Sequence, residues 1–478
     1  MSDLVLGIYN ILPTRLRSIA ASLYGVSLRR WRYGRETERL IMEALDRERW
    51  SPERWKCWRQ ERLAYMLHRA ATQVPYYREQ WAARRRRGDE GSWEYLENWP
   101  ILEKEAVREN SRALVADDLN VRQMFHLHTS GTTGKPLSLF QSRDVVRAWH
   151  ALFEARCHYW YGLSRHERWA IVGGKLVTPV RQQRPPFWVW NAPLRQLYMS
   201  SYHLSPALIP HYLDALERYQ ISYMEGYTSS LYALAAEALR LGRDHIMLSV
   251  AITNAEPLFA YQREVIAKAF HCAVRETYGM AEAVAAASEC EAGCLHVWPE
   301  AGCIEVMEGD RPLTPGAVGD LVCTGLVNVA MPLVRYRVGD RGALAAGDIA
   351  CRCGRILPIL ASVEGRVDDV LYTRDGRRIG RLDPVFKTDL PVSEAQIVQE
   401  TLDRVRVRYV PAPEFTPDAG HSIVERLQAR MGPVHVILEE VSEIPRTANG
   451  KFRAVISHIS ANSKNGSEGS GNACRLTD

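Results

Sequence analysis

The sequence predicts an α/β fold, with a large N-terminal domain followed by a small α+β C-terminal domain. From about residue 125, short apolar runs that end at Gly or Asn alternate with helical stretches, a pattern typical of parallel-rich sheets flanked by helices. Runs at 303–307 and 320–323 predict a β-rich subdomain within the large domain. Two further strand patterns, at 404–410 and 434–438, indicate the separate C-terminal unit.

Changes of composition along the chain place the domain boundaries. We expect a large domain over 1–365 with a helical, Trp- and Arg-rich lead-in over 1–110, a small domain over 366–460, and a disordered Ser-, Gly- and Asn-rich tail over 461–478. In the lead-in, Ser51-Pro52 predicts a helix start with proline in the first turn, and Val74-Pro75 predicts a break after that helix.

Composition excludes some classes of function. The 478 residues are 46% hydrophobic and 24% charged, which is typical of a globular protein, and the net charge of +5 with no basic domain argues against nucleic acid as a partner. The sequence contains no apolar run long enough for a transmembrane helix. We expect a cytoplasmic protein.

The start of the chain carries an amphipathic pattern. Residues 4–23 repeat apolar positions at helical spacing and include Arg15 and Arg17, without the long apolar core of a signal peptide. A helix docked on the protein is the favoured interpretation, and a helix that makes a peripheral membrane contact is the alternative.

One loop has the composition of a phosphate-binding site. Glycines let the backbone approach an anion, hydroxyls and N–H groups donate to phosphate oxygens, and a lysine adds positive charge. A Walker loop needs Ser or Thr after the lysine, where Pro136 stands, so a P-loop NTPase is disfavoured. The residues of this loop are Thr129, Ser130, Gly131, Thr132, Thr133, Gly134 and Lys135.

Taken together with later segments, this loop resembles the adenylate-forming superfamily, which includes acyl-CoA synthetases and nonribosomal-peptide adenylation domains. Alone, each later segment would be an ordinary turn or helix start, but all of them occur in the order found in that family. The matching segments are Asn254-Ala255-Glu256-Pro257, Thr277-Tyr278-Gly279-Met280-Ala281-Glu282, Tyr336-Arg337-Val338-Gly339-Asp340, Gly365-Arg366-Val367-Asp368 and Pro445-Arg446-Thr447-Ala448-Asn449-Gly450-Lys451.

The resemblance implies roles for individual residues. Catalytic roles fall to Lys451, which would act on the developing charge, to Thr277 beside the α-phosphate, and to Glu282, which would hold Mg²⁺. Asp368 would be the hinge about which a mobile small domain turns. The resemblance assigns the nucleotide to residues 129–135, Asn254, Ala255, Glu256, Pro257, Tyr278, Gly279, Asp340 and Arg366.

Within the superfamily, the chain is most similar to phenylacetate–CoA ligases and CapK-type proteins. The segments Val74-Pro75-Tyr76-Tyr77-Arg78 and Cys351-Arg352-Cys353-Gly354-Arg355 carry that likeness, whereas residues 372–378 look more like the CapK-type variants. The resemblance implies ATP-dependent adenylation of a small carboxylic acid with pyrophosphate release, followed by transfer to CoA. An amine, hydroxyl or carrier-protein acceptor in surface-polysaccharide or specialised-metabolite biosynthesis is one alternative. An inactive zinc-stabilised scaffold is another.

Two further interpretations concern metal and substrate. Cys290, His296, Cys351 and Cys353 have the ligand types of a structural Zn²⁺ site, with Cys294 as a spare, and related ligases carry such a cluster; reduced, half-buried thiols are the alternative. Residues 226–230 open a helix, and because the matching region in relatives borders the substrate, the resemblance implies that Tyr227 is a substrate-pocket residue. The many aromatic residues between 149 and 202 could wall an apolar pocket, although core packing is the favoured interpretation. A homodimer is also considered.

Overall fold

The computed structural model describes residues 9, 11–128, 137–175, 177–179, 182–205, 207–243, 245–256, 258, 260–347, 350–365, 371–374, 378–379, 385, 391–412, 415–442, 444 and 455–459. Helices form the first part of this described chain, as predicted. The bounds are α1 Thr14–Arg32, α2 Thr37–Arg47, α3 Pro52–Gln73, α4 Pro75–Arg86 and α5 Lys104–Glu109.

Local chemistry explains where these helices begin and end. The Ser51 side chain accepts a hydrogen bond from the Arg54 backbone N–H at 3.3 Å and so caps α3, and Pro52 occupies the first turn. Val74 is extended and separates α3 from α4, because a residue that precedes proline avoids the helical region. Among the described residues, no helix combines the length and apolar character needed to cross a membrane.

An eight-stranded sheet forms the centre of the large domain. Its order is β10-β9-β8-β7-β6-β3-β5-β4, with β8, β7, β6, β3 and β5 parallel and the outer strands antiparallel. The strands are β3 Trp169–Gly173, β4 Trp188–Asn191, β5 Gln196–Ser200, β6 Tyr223–Tyr227, β7 Val250–Asn254, β8 Ala273–Gly279, β9 Ala286–Glu289 and β10 Leu295–Val297.

Helices connect these strands, and their apolar faces cover the sheet. The helix predicted over 229–241 spans Thr228–Arg240, and the helix predicted over 259–270 spans Ala260–Phe270. A buried cluster that includes Leu197, Leu213 and Leu234 joins sheet and helices. The helices of this part are α6 Arg143–Phe153, α7 Ile209–Arg218, α8 Thr228–Arg240 and α9 Ala260–Phe270.

The predicted β-rich subdomain is an antiparallel sheet with the order β12-β11-β13-β14-β15, and a separate hairpin pairs β1 with β2. The core of the five-stranded sheet includes Leu321 and Tyr336 and is continuous with apolar residues of α3 and α4. The strands are β1 Phe125–His128, β2 Ser138–Gln141, β11 Gly302–Glu308, β12 Arg311–Pro312, β13 Gly319–Gly325, β14 Tyr336–Leu344 and β15 Leu360–Gly365.

The C-terminal unit has its own sheet and core, as the sequence predicts. The strand order is β20-β19-β18-β21, with β16 and β17 as a separate pair, and Ile397, Ile423 and Leu427 lie in its buried core. The elements are β16 Leu371–Tyr372, β17 Arg378–Ile379, β18 Val392–Thr401, β19 Arg404–Pro411, α10 Pro417–Met431, β20 His435–Glu440 and β21 Val455–Ser457.

Candidate active site

The carboxyl ends of three neighbouring parallel strands bring predicted site residues together. In the register of β6 and β7, Tyr227 lies opposite Asn254, and in that of β7 and β8, Thr253 lies opposite Glu276, directly before Thr277. In open parallel α/β sheets, ligands bind in the crevice outside the carboxyl ends of the strands. The topology therefore places one predicted substrate-pocket residue beside two predicted nucleotide-binding segments.

The turn after β7 has a strained backbone that is tied to the next helix. Ala255 has a φ of 64°, in the left-handed region that non-glycine residues avoid. The Thr228 hydroxyl at the start of α8 donates a hydrogen bond to the Glu256 carbonyl at 3.0 Å. Strain of this kind persists where the surroundings over-determine the conformation, which is common at ligand sites.

A hydrogen bond joins the eight-stranded sheet to the five-stranded sheet at the site. The Tyr278 hydroxyl, at the end of β8, donates to Asp340 Oδ2 in β14 at 3.1 Å. Burial raises the pKa of Tyr278 well above its usual value, and the neighbouring Asp340 carboxylate acts in the same direction. Beside Tyr278, the Thr277 hydroxyl donates to the Thr253 carbonyl at 2.8 Å and so fixes the strand end.

Glu282 is a buried carboxylate with two partners that the sequence motifs did not identify. The Tyr336 hydroxyl donates to Glu282 Oε1 at 2.9 Å, and Lys104 Nζ lies 3.5 Å from the same oxygen. The side chain of Glu282 is 6% exposed. Ala283, which follows, has a φ of 54° and makes a second strained turn at the site.

Lys104 is a site residue that motif reasoning missed. It begins α5, far from the other motifs in sequence, and reaches the site because Leu102 pairs with Tyr336 in a parallel bridge. A signal was nevertheless present: lysine accounts for only 8 of the 61 basic residues, so each lysine in this arginine-rich chain is worth considering.

Several predicted site residues lie outside the part of the chain that the structure describes. The strands that flank the predicted phosphate loop do pair, with His128 opposite Ser138. The predicted residues outside the described part are Thr129, Ser130, Gly131, Thr132, Thr133, Gly134, Lys135, Pro257, Arg366, Asp368 and Lys451. Their roles stay predictions.

The predicted cysteine and histidine ligands meet in one cluster, away from the strand-end site. The ligand atoms of Cys290, His296, Cys351 and Cys353 all lie within 4.8 Å of one another, and Cys294 is not part of this set. Cys290 Sγ and Cys351 Sγ are 3.6 Å apart, and Cys353 Sγ and His296 Nε2 are 3.3 Å apart. A tetrahedral Zn²⁺ would set its S and N ligands about 3.5–3.8 Å apart, so the cluster fits this ion.

The surroundings of the cluster favour a metal-binding form. His296 Nδ1 lies 3.1 Å from the Leu357 carbonyl, so an N–H at Nδ1 donates there and leaves Nε2 as a ligand facing the thiols. A hydrogen bond from Cys290 lowers the pKa of the Cys353 thiol; burial opposes this, and His296 and Arg355 reinforce it. The cluster links the β9–β10 hairpin to the loop between β14 and β15.

Most aromatic residues between 149 and 202 serve packing, which was the favoured interpretation. Trp169 stacks on Tyr223 with ring centroids 5.9 Å apart, and Trp190 stacks on Tyr219 at 5.1 Å. Trp160 packs edge-on against His296 with ring centroids 6.1 Å apart and so covers one side of the cysteine and histidine cluster. Tyr227 lies at the carboxyl end of β6, opposite Asn254.

Comparisons with known proteins find relatives of this chain. Residues 371–458 match the CapK C-terminal domain family. The C-terminal part of the chain is therefore similar to the CapK C-terminal domain. It is 27% identical to Protein CapK of Staphylococcus aureus over 373 residues, which cover 75% of this chain and 80% of that protein. This CapK-like chain is also 28% identical to the phenylacetate-coenzyme A ligase of Thermus thermophilus over 244 residues, 45% of this chain and 54% of the ligase.

A solved structure shows the same fold. The 2-hydroxyisobutyryl-CoA ligase in complex with 2-HIB-AMP and CoA, in the thioesterification state, aligns with a TM-score of 0.56 and 20% identity, over 86% of this chain and 91% of the ligase. The predicted resemblance to CapK-type proteins and phenylacetate–CoA ligases is thereby confirmed as a similarity, and the α/β fold class is confirmed.

Proposed function

We propose that this chain activates a small carboxylic acid with ATP, forms an acyl-adenylate with release of pyrophosphate, and transfers the acyl group to CoA. The hydrogen bond between Tyr278 and Asp340 carries the proposal, because it joins the residue predicted beside adenine to the residue predicted beside ribose. The relatives named phenylacetate-coenzyme A ligase and the fold shared with an AMP- and CoA-bound ligase support it.

In the first step, an oxygen of the substrate carboxylate attacks the α-phosphorus of ATP, and the bond to the pyrophosphate oxygen breaks. Thr277, whose hydroxyl donates to the Thr253 carbonyl, would lie beside the α-phosphate. Asp340 would accept hydrogen bonds from the ribose hydroxyls, and Arg366 would contact the ribose as a donor. Residues 129–135 would hold the outer phosphates, and Lys451 would stabilise the charge that develops between carboxylate and phosphate.

In the second step, a thiolate attacks the acyl carbonyl and AMP leaves as an oxyanion. The small domain would turn about Asp368 between the two steps. The same adenylate could instead meet an amine, a hydroxyl or a carrier-protein thiol, and acceptor-dependent release of AMP separates these cases. We expect CoA to accelerate AMP release, and acceleration only by another acceptor would exclude CoA as the natural one.

Glu282 would hold Mg²⁺ on the triphosphate. A buried carboxylate whose position is fixed by Tyr336 suits this role, since Mg²⁺ prefers oxygen ligands in a defined geometry. The bound ion would neutralise phosphate charge. Lys104 would balance the Glu282 charge and position the carboxylate.

The direct test is ATP–pyrophosphate exchange with purified protein across a panel of aryl, fatty and hydroxy acids. Exchange should require one class of acid and should fall by about a hundredfold or more in Lys451→Ala and Glu282→Gln. The matched controls are Lys268→Ala and Glu264→Gln on the exposed face of α9. If no acid supports exchange although ATP binds, or if both site variants exchange normally, the proposal is wrong.

The cluster of Cys290, His296, Cys351 and Cys353 would hold a structural Zn²⁺ that ties two loops together. Metal analysis should find about one zinc per chain, and Cys353→Ser should lose it and melt earlier. Cys57→Ser, at an exposed cysteine, is the control and should keep its zinc. Wild-type protein with no bound metal would contradict the assignment.

Cytoplasmic location and a homodimer stay proposals. A cytoplasmic enzyme would have direct access to ATP. Light scattering on purified protein would test the dimer, and a mass of one chain at all concentrations would exclude it.

A further inference from the structure

Helix α1 (Thr14–Arg32) packs on the protein through its small and polar face. Arg17, Gly25 and Leu28 are its buried residues, and Arg17 donates hydrogen bonds to the Leu12 carbonyl at 2.9 Å and to Gln182 Oε1 at 2.8 Å. It is unusual for a surface helix to bury its polar face in this way, because the apolar stripe normally faces the core.

The partner of this polar face is β4, the edge strand of the eight-stranded sheet. Ser18 accepts a hydrogen bond from the Trp190 N–H at 3.2 Å. Ser22 donates to the Trp190 carbonyl and accepts from the Ala192 N–H, both at 3.2 Å. An edge strand leaves backbone N–H and C=O groups unpaired, and hydroxyl groups on a helix that covers the strand can hydrogen-bond to them. The polar side of α1 therefore packs against the edge strand β4.

As a consequence, the apolar side of α1 points outward. Leu16, Ile19, Leu23 and Val26 lie at i, i+3, i+7 and i+10 and share one face, and all four are exposed, Leu23 by 69%. Arg30 lies four residues after Val26, on the same face of the helix. Helix α1 contains no acidic residue. An outward stripe of this kind beside basic residues is typical of helices that lie at a membrane surface.

A basic pocket of about 670 Å³ opens at the C-terminal end of the stripe, and Val26 lines it too. Five arginines line this pocket, together with His158 and His166, and none of its described lining residues is acidic. Arg165 is ion-paired with Glu38, and His158 is hydrogen-bonded to Glu154 and Glu225, so their charge is already matched. For Arg29, Arg30 and Arg32, no carboxylate of the described chain lies within ion-pair distance. The lining arginines are Arg29, Arg30, Arg32, Arg165 and Arg195.

This pocket is separate from the adenylation site. Trp169, which begins β3, lines it, whereas the site residues lie at the carboxyl edge of the parallel strands. The five residues of β3 span about 13 Å at about 3.3 Å per residue, so the pocket and the site lie at opposite edges of the sheet.

We propose that α1 docks on an anionic phospholipid surface, with Leu16, Ile19, Leu23 and Val26 in the acyl boundary and Arg29, Arg30 and Arg32 on lipid phosphates. Arginine suits this role, because its planar fork binds phosphate oxygens in pairs. Whatever covers the apolar stripe and the neighbouring basic pocket must offer apolar groups to the first and anionic groups to the second. A membrane surface with acidic headgroups offers both. The proposal does not depend on which acid or acceptor the adenylation site uses.

The test is flotation of the full chain with vesicles of phosphatidylcholine alone and with vesicles that also contain phosphatidylglycerol. Wild-type protein should float with the mixed vesicles and at least tenfold less with pure phosphatidylcholine. Leu23→Asp should lower the partition coefficient more than tenfold, and Arg30→Glu about fivefold or more. Met247→Asp and Arg87→Glu, at exposed positions elsewhere, are the controls and should float like wild type.

Three outcomes would overturn the proposal. Wild-type protein could fail to float with either vesicle, or Leu23→Asp could float as wild type does. Alternatively, light scattering could show a dimer that Leu23→Asp dissociates while wild type ignores vesicles; a second copy would then cover the stripe. Circular dichroism of the variants shows that each is folded, and since Leu23 and Arg30 are exposed, both should fold normally.

Discussion

His158 should make the stability of the large domain fall as pH rises above neutrality. Its Nδ1 lies 2.8 Å from Glu154 and its Nε2 3.2 Å from Glu225, all three side chains being buried. Burial by itself would lower the pKa of His158, but the hydrogen bonds to the two carboxylates outweigh it and raise the pKa to about 9. Tyr33 and Tyr223 hydrogen-bond to the same group of side chains.

The direction and size of the effect follow from linkage. The folded-state pKa is above the usual value of 6.5, so the folded protein binds the proton more tightly than the unfolded chain. The stabilisation is fully present below pH 6.5 and is lost as pH rises through about 9. The interval between the two pKa values corresponds to about 3 kcal/mol.

The perturbation is His158→Gln, which cannot carry the proton. Urea unfolding followed by fluorescence should find wild type more stable than the variant at pH 6.5, and this difference should shrink by about 3 kcal/mol towards pH 9. His245→Gln, at an exposed histidine, is the control and should leave the pH dependence of wild type unchanged. A difference between wild type and His158→Gln that is constant over this range would refute the reasoning.

Three further substitutions test packing, charge and strain by the same unfolding measurement. Gly302→Ala should cost about 3 kcal/mol, because its Cβ would lie 1.9 Å from the Val284 carbonyl oxygen; a loss below about 1 kcal/mol would contradict this. Arg156→Met should cost about 3 kcal/mol, because it leaves buried Glu300 without its closest cation at 2.7 Å; a neutral or stabilising result would mean that hydrophobic packing outweighs the lost pair. Ala255→Gly should gain up to about 1 kcal/mol by relieving the left-handed backbone, and a loss would show that the methyl group contributes more than the strain costs.

Much of the fold could be predicted because it depends on local chemistry. The capping Ser51 with Pro52, and the break at Val74-Pro75, act within one helical turn, and the structure has both as predicted. The resemblance assigned residues at the ends of β7 and β8 to one site, and the structure has these ends side by side, because the carboxyl ends of adjacent parallel strands meet at one edge. The four members of the Cys290, His296, Cys351 and Cys353 cluster could likewise be chosen from ligand type and resemblance.

Contacts between distant segments could not be predicted in this way. Lys104 reaches Glu282 only because the segment at Leu102 pairs with β14, and no local pattern encodes that bridge. The hydrogen bonds that raise the pKa of His158 come from Glu154, one turn earlier in the chain, and from Glu225 in the distant strand β6. Such groupings arise when the layers pack, after local preferences have been satisfied.

Helix α1 is the clearest example of a feature that depends partly on local sequence and partly on tertiary packing. The sequence by itself determined that this segment is amphipathic, because apolar and polar positions repeat with the helical period. Only the tertiary structure decided which face is covered: β4 is an edge strand whose backbone groups need hydrogen-bond partners, and Ser18 and Ser22 supply them. The apolar face is therefore directed away from the protein, because unpaired backbone groups at the sheet edge favour the polar side of the helix.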